Sequence, residues 1–323
     1  MVRNNFWRAM RTLVAASALV LAGCVRHSGL VLLNPKGPIA AAELHFTILD
    51  VAIMLGIIVP TAILVVWFMW HYRATNRKAT YDNKWDHSYG VEVVVWGIPI
   101  LVVAVLSYFS YKGIFEVDPY NPRILAKPPV AEAGTKPQVP QGRPIDVNVI
   151  TTDWQWLFVY PKLHIASVDK LVVPVNTPVR VRLTSATVDN AFMIPQLVGQ
   201  IEIMPGMRTK QAFLASQSGD YRGFSAEMSG PGFAWMQFHA DVVSAAHFRR
   251  WVAAAGRSPE HMTDRRFNMF AQPTFNLHEK ARYFSHVQSG LFRYVIHEVQ
   301  MGKVFATPLG AGEVMTAHMT RVQ

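Results

Sequence analysis

The chain has one cysteine among its 323 residues, Cys24, so it can form neither an internal disulfide nor a paired-thiolate metal centre. Charge is scarce as well. Only 16% of the residues are charged and 51% are hydrophobic, against roughly 25% charged in an ordinary soluble domain. The deficit points to apolar segments that never meet water. The twelve histidines contain no His-x-x-x-His pair, and there are no paired carboxylates at helical register. A Gly-rich phosphate loop, a nucleophile elbow and an internal repeat are also missing. The net charge of +10, from 31 basic and 21 acidic residues, is scattered. No Lys/Arg stripe with interleaved aromatics is present, which argues against a nucleic-acid partner.

What is present begins at the N-terminus. Arg3, Arg8 and Arg11 precede an apolar stretch from Leu13 to Leu21 that is too short to span a bilayer. It ends in Leu21-Ala22-Gly23-Cys24. This resembles the bacterial lipobox, in which the cysteine is diacylated and becomes the mature N-terminus. Residues 1–23 are therefore expected to be a lipoprotein signal peptide and Cys24 the lipidated residue at the head of an exported segment, 24–45. An ordinary signal peptide with an incidental cysteine is the other reading. Removing the three arginines leaves 28 − 21 = +7.

Val51 to Trp70 is a run of 20 residues without a charge, and Val93 to Tyr111 a run of 19. About 20 apolar residues cross a bilayer, so two spans are expected, at 46–70 and 91–111. The interrupting Gly56, Pro60 and Pro99 are tolerated in membrane helices. Trp67, Trp70, Tyr108 and Tyr111 suit interfacial belts. The loop 71–90 carries Arg73, Arg77, Lys78 and Lys84, which places it in the cytoplasm and both chain ends outside. Glu92, at the mouth of the second span, reads as a boundary residue rather than a proton relay.

Residues 112–144 read as a linker, Pro- and Gly-rich from residue 120 onward. The pattern then changes to a period of two: Ile145, Val147 and Val149, followed by Trp154, Trp156, Phe158 and Tyr160. Further strand-like runs at 171–175, 179–184, 210–215 and 235–243 predict a β-sandwich or barrel over 145–243. Ser244 is placed to cap a helix whose Phe248, Trp251 and Val252 share one face. Residues 244–323 are expected to form a helical C-terminal extension, with little pattern in the last twenty residues. The fold class is a membrane-anchored all-β domain: two N-terminal transmembrane helices, a cupredoxin-like β-sandwich and a helical C-terminal extension.

This layout is similar to subunit II of haem-copper oxidases. Thr152-Asp153-Trp154-Gln155-Trp156 resembles that family's tryptophan-rich segment, and Ser225-Ala226-Glu227-Met228-Ser229-Gly230 resembles its copper loop, Cys-x-Glu-x-Cys. By that resemblance the two bridging cysteines fall on Ser225 and Ser229. The two histidine ligands fall on Asn190 and Phe233, the methionine on Met236, and the glutamate that lends a carbonyl on Glu227. Four of six ligand positions are lost, and hydroxyl, carboxamide and phenyl cannot replace the thiolates and imidazoles of a mixed-valence copper pair. Ser229-Gly230-Pro231-Gly232-Phe233, together with the lipobox and the extension, resembles the cytochrome bo-type ubiquinol oxidase branch.

The resemblance implies a proton-pumping complex of the cytoplasmic membrane that oxidises ubiquinol and reduces dioxygen to water. Its haems and copper would lie in subunit I, with no cofactor or metal in this chain and no catalytic residue. The expected partners are subunit I, further small membrane subunits and the lipid bilayer. The expected role is assembly, with Trp154 and Trp156 as candidates for the interface with subunit I. The alternatives are a working cytochrome c oxidase subunit, which the missing cysteines oppose, and an independent membrane-anchored lipoprotein with a cupredoxin-like binding domain. His239 and His247 are taken as surface or second-layer residues rather than ligands.

Overall fold

The computed structural model describes residues 31–80, 82, 84–118, 143–274 and 281–305. The predicted signal peptide, Cys24, most of the linker and the last residues lie outside them. Two long helices come first, α1 (Pro38–His71) and α2 (Tyr89–Val117). Both are long and apolar enough to cross a membrane, and their apolar side chains are exposed within this chain. They start earlier or end later than the expected spans. α1 is 34 residues long, about 50 Å at the α-helical rise of 1.5 Å per residue, so it projects beyond a hydrocarbon core of ~30 Å. α2 runs six residues past Tyr111 into the expected linker.

The projecting end of α1 is joined to the exported domain. Lys36 donates its N–H to the Gln196 carbonyl (2.7 Å) and accepts at its own carbonyl from Ser216 N–H (2.7 Å). Ile39 is buried in the sandwich core. The Glu43 carboxylate accepts from Gly199 N–H at 3.1 Å. Gly37 caps α1 at a point where a Cβ would run into the Leu214 carbonyl, so only glycine lets the chain pass so close.

The exported domain is a sandwich of two sheets. The strands are β1 (Ile145–Thr151), β2 (Trp156–Tyr160), β3 (Ile165–Val168), β4 (Lys170–Pro174), β5 (Pro178–Ser185), β6 (Asn190–Ile194), β7 (Val198–Ile203), β8 (Thr209–Leu214), β9 (Gly219–Ser225), β10 (Gln237–Val243) and β11 (Tyr283–Phe284). One sheet has the order β11-β3-β2-β1-β5-β8, the other β4-β10-β9-β6-β7. Alternation places Val147, Val149, Phe158, Val181 and Leu183 between the sheets, against Phe192, Phe238, Ala240 and Val242.

The six-stranded sheet is apolar on its outward face too. Ile150, Leu157, Val159, Ala166 and Val168 form a second core there with Phe267, Phe284, Leu291, Phe292 and Val295. The C-terminal extension consists of α3 (Ala245–Ala255), α4 (Asp264–Phe270) and α5 (Leu291–Gln300); an apolar face must be covered, and α4 and α5 cover this one. Ser244 caps α3 as expected, accepting from His247 N–H at 3.2 Å, and Phe248, Trp251 and Val252 pack on the sandwich core. The helical extension also carries one short strand. Tyr283 and Phe284 form an edge strand on β3, because the Ser167 and Ala166 backbone there offers an open ladder.

Candidate functional site, a copper loop rebuilt from neutral side chains

The six positions that the resemblance singles out converge at one end of the sandwich. Asn190 opens β6 and Ser225 closes β9, and the loop from 226 to 236 carries Glu227, Ser229, Phe233 and Met236. Ser225, Ser229, Asn190 and Met236 are all buried. The Ser225 hydroxyl lies 3.1 Å from both Asn190 Oδ1 and the Glu227 carbonyl, and its oxygen accepts from Ala191 N–H at 3.2 Å. The Asn190 carboxamide nitrogen donates to the Val188 carbonyl (3.1 Å) and to Thr151 Oγ1 (3.3 Å). Ser229 Oγ faces the Met236 sulfur at 3.9 Å. Half-buried Phe233 donates its N–H to the Gly230 carbonyl at 3.1 Å in a short 3-10 turn.

These contacts decide what the site can do. Buried polar groups cost free energy unless they are bonded, and here Asn190 and Ser225 bond each other and the surrounding backbone. The Glu227 carbonyl, which the family's copper loop turns to metal, takes the Ser225 hydroxyl instead. A dinuclear copper centre needs thiolate bridges and imidazole nitrogens. This set offers a neutral hydroxyl pair, a carboxamide already committed, a phenyl ring and one thioether, which do not fit it. Among the described residues no three His, Cys, Asp or Glu side chains cluster to hold a metal ion.

Trp154 and Trp156 lie beneath the same loop. As candidates for the interface with subunit I they do not present free ring faces: both are buried inside this chain, Trp154 at 5% and Trp156 at 0% exposure. Trp154 does not belong to a strand; it sits in the turn before β2. Its indole N–H donates to the Ser229 carbonyl (2.8 Å), and that of Trp156 to the Met236 carbonyl (3.4 Å). The two rings thus hold the loop from beneath. Gly232 lies flat on Trp154, where a Cβ would collide with the ring. Trp156 also packs on Phe238 at a centroid distance of 4.9 Å and on Phe192 at 5.9 Å. Such a ring needs the core's apolar volume and one polar partner, and the loop carbonyl is that partner.

Thr151 and Thr187, which motif reading passed over, complete the surroundings. Thr187 Oγ1 donates to the Asp153 carboxylate at 2.6 Å. Burial pushes the Asp153 carboxyl upward from its ordinary pKa, and the Thr187 hydrogen bond opposes this. His239 is exposed and paired with Asp220 at 2.8 Å, on the outer surface of β10.

Fold and loop together define an exported domain of the subunit II type without the donors of its copper pair. Residues 157–243 match the family described as cytochrome c oxidase subunit II, periplasmic domain, and residues 257–303 match the COX aromatic rich motif. The chain is 39% identical over 295 residues to ubiquinol oxidase subunit 2 of Acetobacter aceti, covering 91% of this chain and 90% of that protein. It is 37% identical over 276 residues to cytochrome bo(3) ubiquinol oxidase subunit 2 of Pseudomonas putida, covering 85% and 82%. With quinol oxidase subunit 2 of Bacillus cereus it shares 27% over 273 residues, covering 84% and 88%. The chain belongs to the ubiquinol oxidase subunit 2 family. Two apolar helices and a periplasmic-type domain fit a membrane protein with an external domain.

Proposed function

We propose that this chain is the non-redox subunit II of a ubiquinol oxidase, which positions and stabilises the complex while electrons pass from quinol to metal centres in subunit I. The observation that carries the reading is the Ser225 hydroxyl, bonded to Asn190 and the Glu227 carbonyl where a bridging thiolate would stand. Quinol is lipid-soluble and needs no relay on the outer surface, so a domain of this fold can lose its copper and keep its scaffold role. The exposed apolar surfaces of α1 and α2 support packing against further membrane helices. We further propose that Cys24 is acylated and that the anchor lies on the same outer side as the sandwich.

The test is made on the purified oxidase. Ser225→Ala and Ser229→Ala should leave the copper-to-haem ratio unchanged and keep haem-normalised quinol oxidation within about threefold of the parent. A fully assembled variant with turnover down a hundredfold would place this loop on an electron path and end the scaffold reading.

A further inference from the structure

At the margin of the second core, beside the outward face of β1, lies a cavity of about 400 Å³. Arg182, Arg208 and Arg293 line it, and no aspartate or glutamate does. They come from distant parts of the chain: β5, the residue before β8, and the first turn of α5. Among the described residues none of the three has an acidic partner. Like charges gathered in one concavity raise its positive potential and attract anions.

The helix adds to that potential. α5 starts at Leu291 with no acidic residue in its first turn and no side-chain cap, since Gly290 holds the cap position at φ 88°. The first N–H groups of a helix have no carbonyl within it to bond, and its N-terminus repels a cation. Arg293 nonetheless sits there with its guanidinium folded back, Nη2 being 3.9 Å from the point a Cβ on Gly290 would occupy.

An independent observation comes from the sheet. Asn148 is the β1 residue in register with Arg182 on β5, so the two side chains share the outward face. It lines the same cavity, is only 8% exposed, and its Oδ1 has no hydrogen-bond partner. A buried carboxamide oxygen without a partner is costly unless something donates to it. Asp146, two residues earlier on the same face, does not serve the arginines, because Arg180 and Lys162 each hold it at 2.7 Å.

We propose that this cavity binds a hydrogen phosphate group. Its oxygens accept from the guanidiniums and from the Phe292 and Arg293 N–H groups of α5, that of Leu291 being already bonded to the Gln288 carbonyl at 3.3 Å, and its P–OH donates to Asn148 Oδ1. Sulfate and simple carboxylates supply the acceptors but no donor near neutral pH. Arginine suits the task because its planar fork meets two oxyanion oxygens at once. The group is either free phosphate or the end of a small phosphomonoester.

Calorimetry on the full chain in detergent and phosphate-free buffer, titrated in turn with inorganic phosphate, glycerol phosphate and sulfate, tests this. Phosphate or glycerol phosphate should bind, with affinity falling at least tenfold in Arg182→Gln and in Arg293→Gln. The tighter of the two identifies the source. Sulfate should bind at least tenfold more weakly than inorganic phosphate. Without ligand both variants should melt at or above the parent temperature, since each loses an uncompensated cation, and only the parent should gain thermal stability from phosphate. No binding of either phosphate, unchanged binding in the variants, sulfate as tight as phosphate, or a fall in ligand-free melting temperature would each overturn the proposal.

Discussion

At the loop from 226 to 236, Asn190, Ser225 and Ser229 each have a protein partner within the same small volume. Beside β1, among the described residues, Asn148 Oδ1 has no donor and the three guanidiniums have no acidic partner. Both regions bury polar atoms, and both sit at the edge of an aromatic core. The difference lies in what satisfies them. The loop closes on itself: the serines and the asparagine that replace ligands are small, neutral and in contact with a neighbour, so it stands without a metal. The cavity gathers its polar residues around a common space, as a site that takes a ligand from outside does. A fold can therefore lose one site by neutral replacement and hold another on a different face.

That comparison can be broken most strongly by removing the support beneath the loop. Trp156→Ala deletes a fully buried ring that touches Phe158, Phe192 and Phe238 and donates to the Met236 carbonyl. It should destabilise the domain by about 3–5 kcal/mol, the usual cost of a large aromatic truncation. Denaturant unfolding followed by circular dichroism measures it, and a change under 1 kcal/mol would show that the loop does not depend on this core. Binding at the cavity should be untouched in the protein that remains folded, because Trp156 faces between the sheets.

A smaller effect comes from the loop itself. Ser225→Ala strands Asn190 Oδ1 and the Ala191 N–H, which should cost about 1–3 kcal/mol, the range for a buried group left unbonded. The Ser225–Asn190 bond also makes a reciprocal test available: Asn190→Ala together with Ser225→Ala should cost less than the sum of the two single changes, because they share that bond. Thermal melts of the single and double variants check it, and strict additivity would dissolve the network described here.

The smallest effect separates the cavity from its charged neighbour. Burial alone would raise the Asp146 pKa, but the hydrogen bonds and charges of Lys162 and Arg180 outweigh it and hold the carboxyl below its ordinary value. A carboxyl with a depressed folded pKa stabilises above its unfolded pKa, and that stability is lost as pH falls through the folded one. The contribution should thus be complete at neutral pH and disappear in the acid range below an unfolded aspartate's pKa of about 3.9. Asp146→Asn should remove this acid-side slope while costing no more than about 1 kcal/mol at neutral pH, because both of its cations are exposed and screened by solvent. Melting curves across the acid range measure it; an unchanged slope would show that Asp146 is not held by its two cations.

Much of this was legible along the chain because it is written in periodicity. Charge-free runs of span length become helices whatever surrounds them, and alternation in 145–151 and 237–243 places side chains on two faces of a strand. The short β6, β7 and β9 were not legible. β9 carries Gly219, Asp220, Arg222 and Gly223, a composition that reads as a turn, and it is a strand because β6 and β10 bond it on both sides. Gly223 lies under Phe238, where a Cβ would collide with the ring, so its lack of a side chain is a packing requirement rather than a turn signal.

The sequence by itself determined the two apolar helices, the sandwich, the capped helix after Ser244 and the loss of the copper donors. Each depends on residue type and local spacing, and a serine cannot become a thiolate in any environment. Only the tertiary structure decided which way Trp154 and Trp156 face, because alternation names two faces without saying which one is covered. It alone joined Lys36 and Glu43 to the sandwich, and it drew Tyr283 and Phe284 onto β3. It also brought Asn148, Arg182, Arg208 and Arg293 around one cavity. Nothing in the local pattern links residues so far apart; their meeting follows from strand register and from the extension folding back over an apolar sheet face that had to be covered.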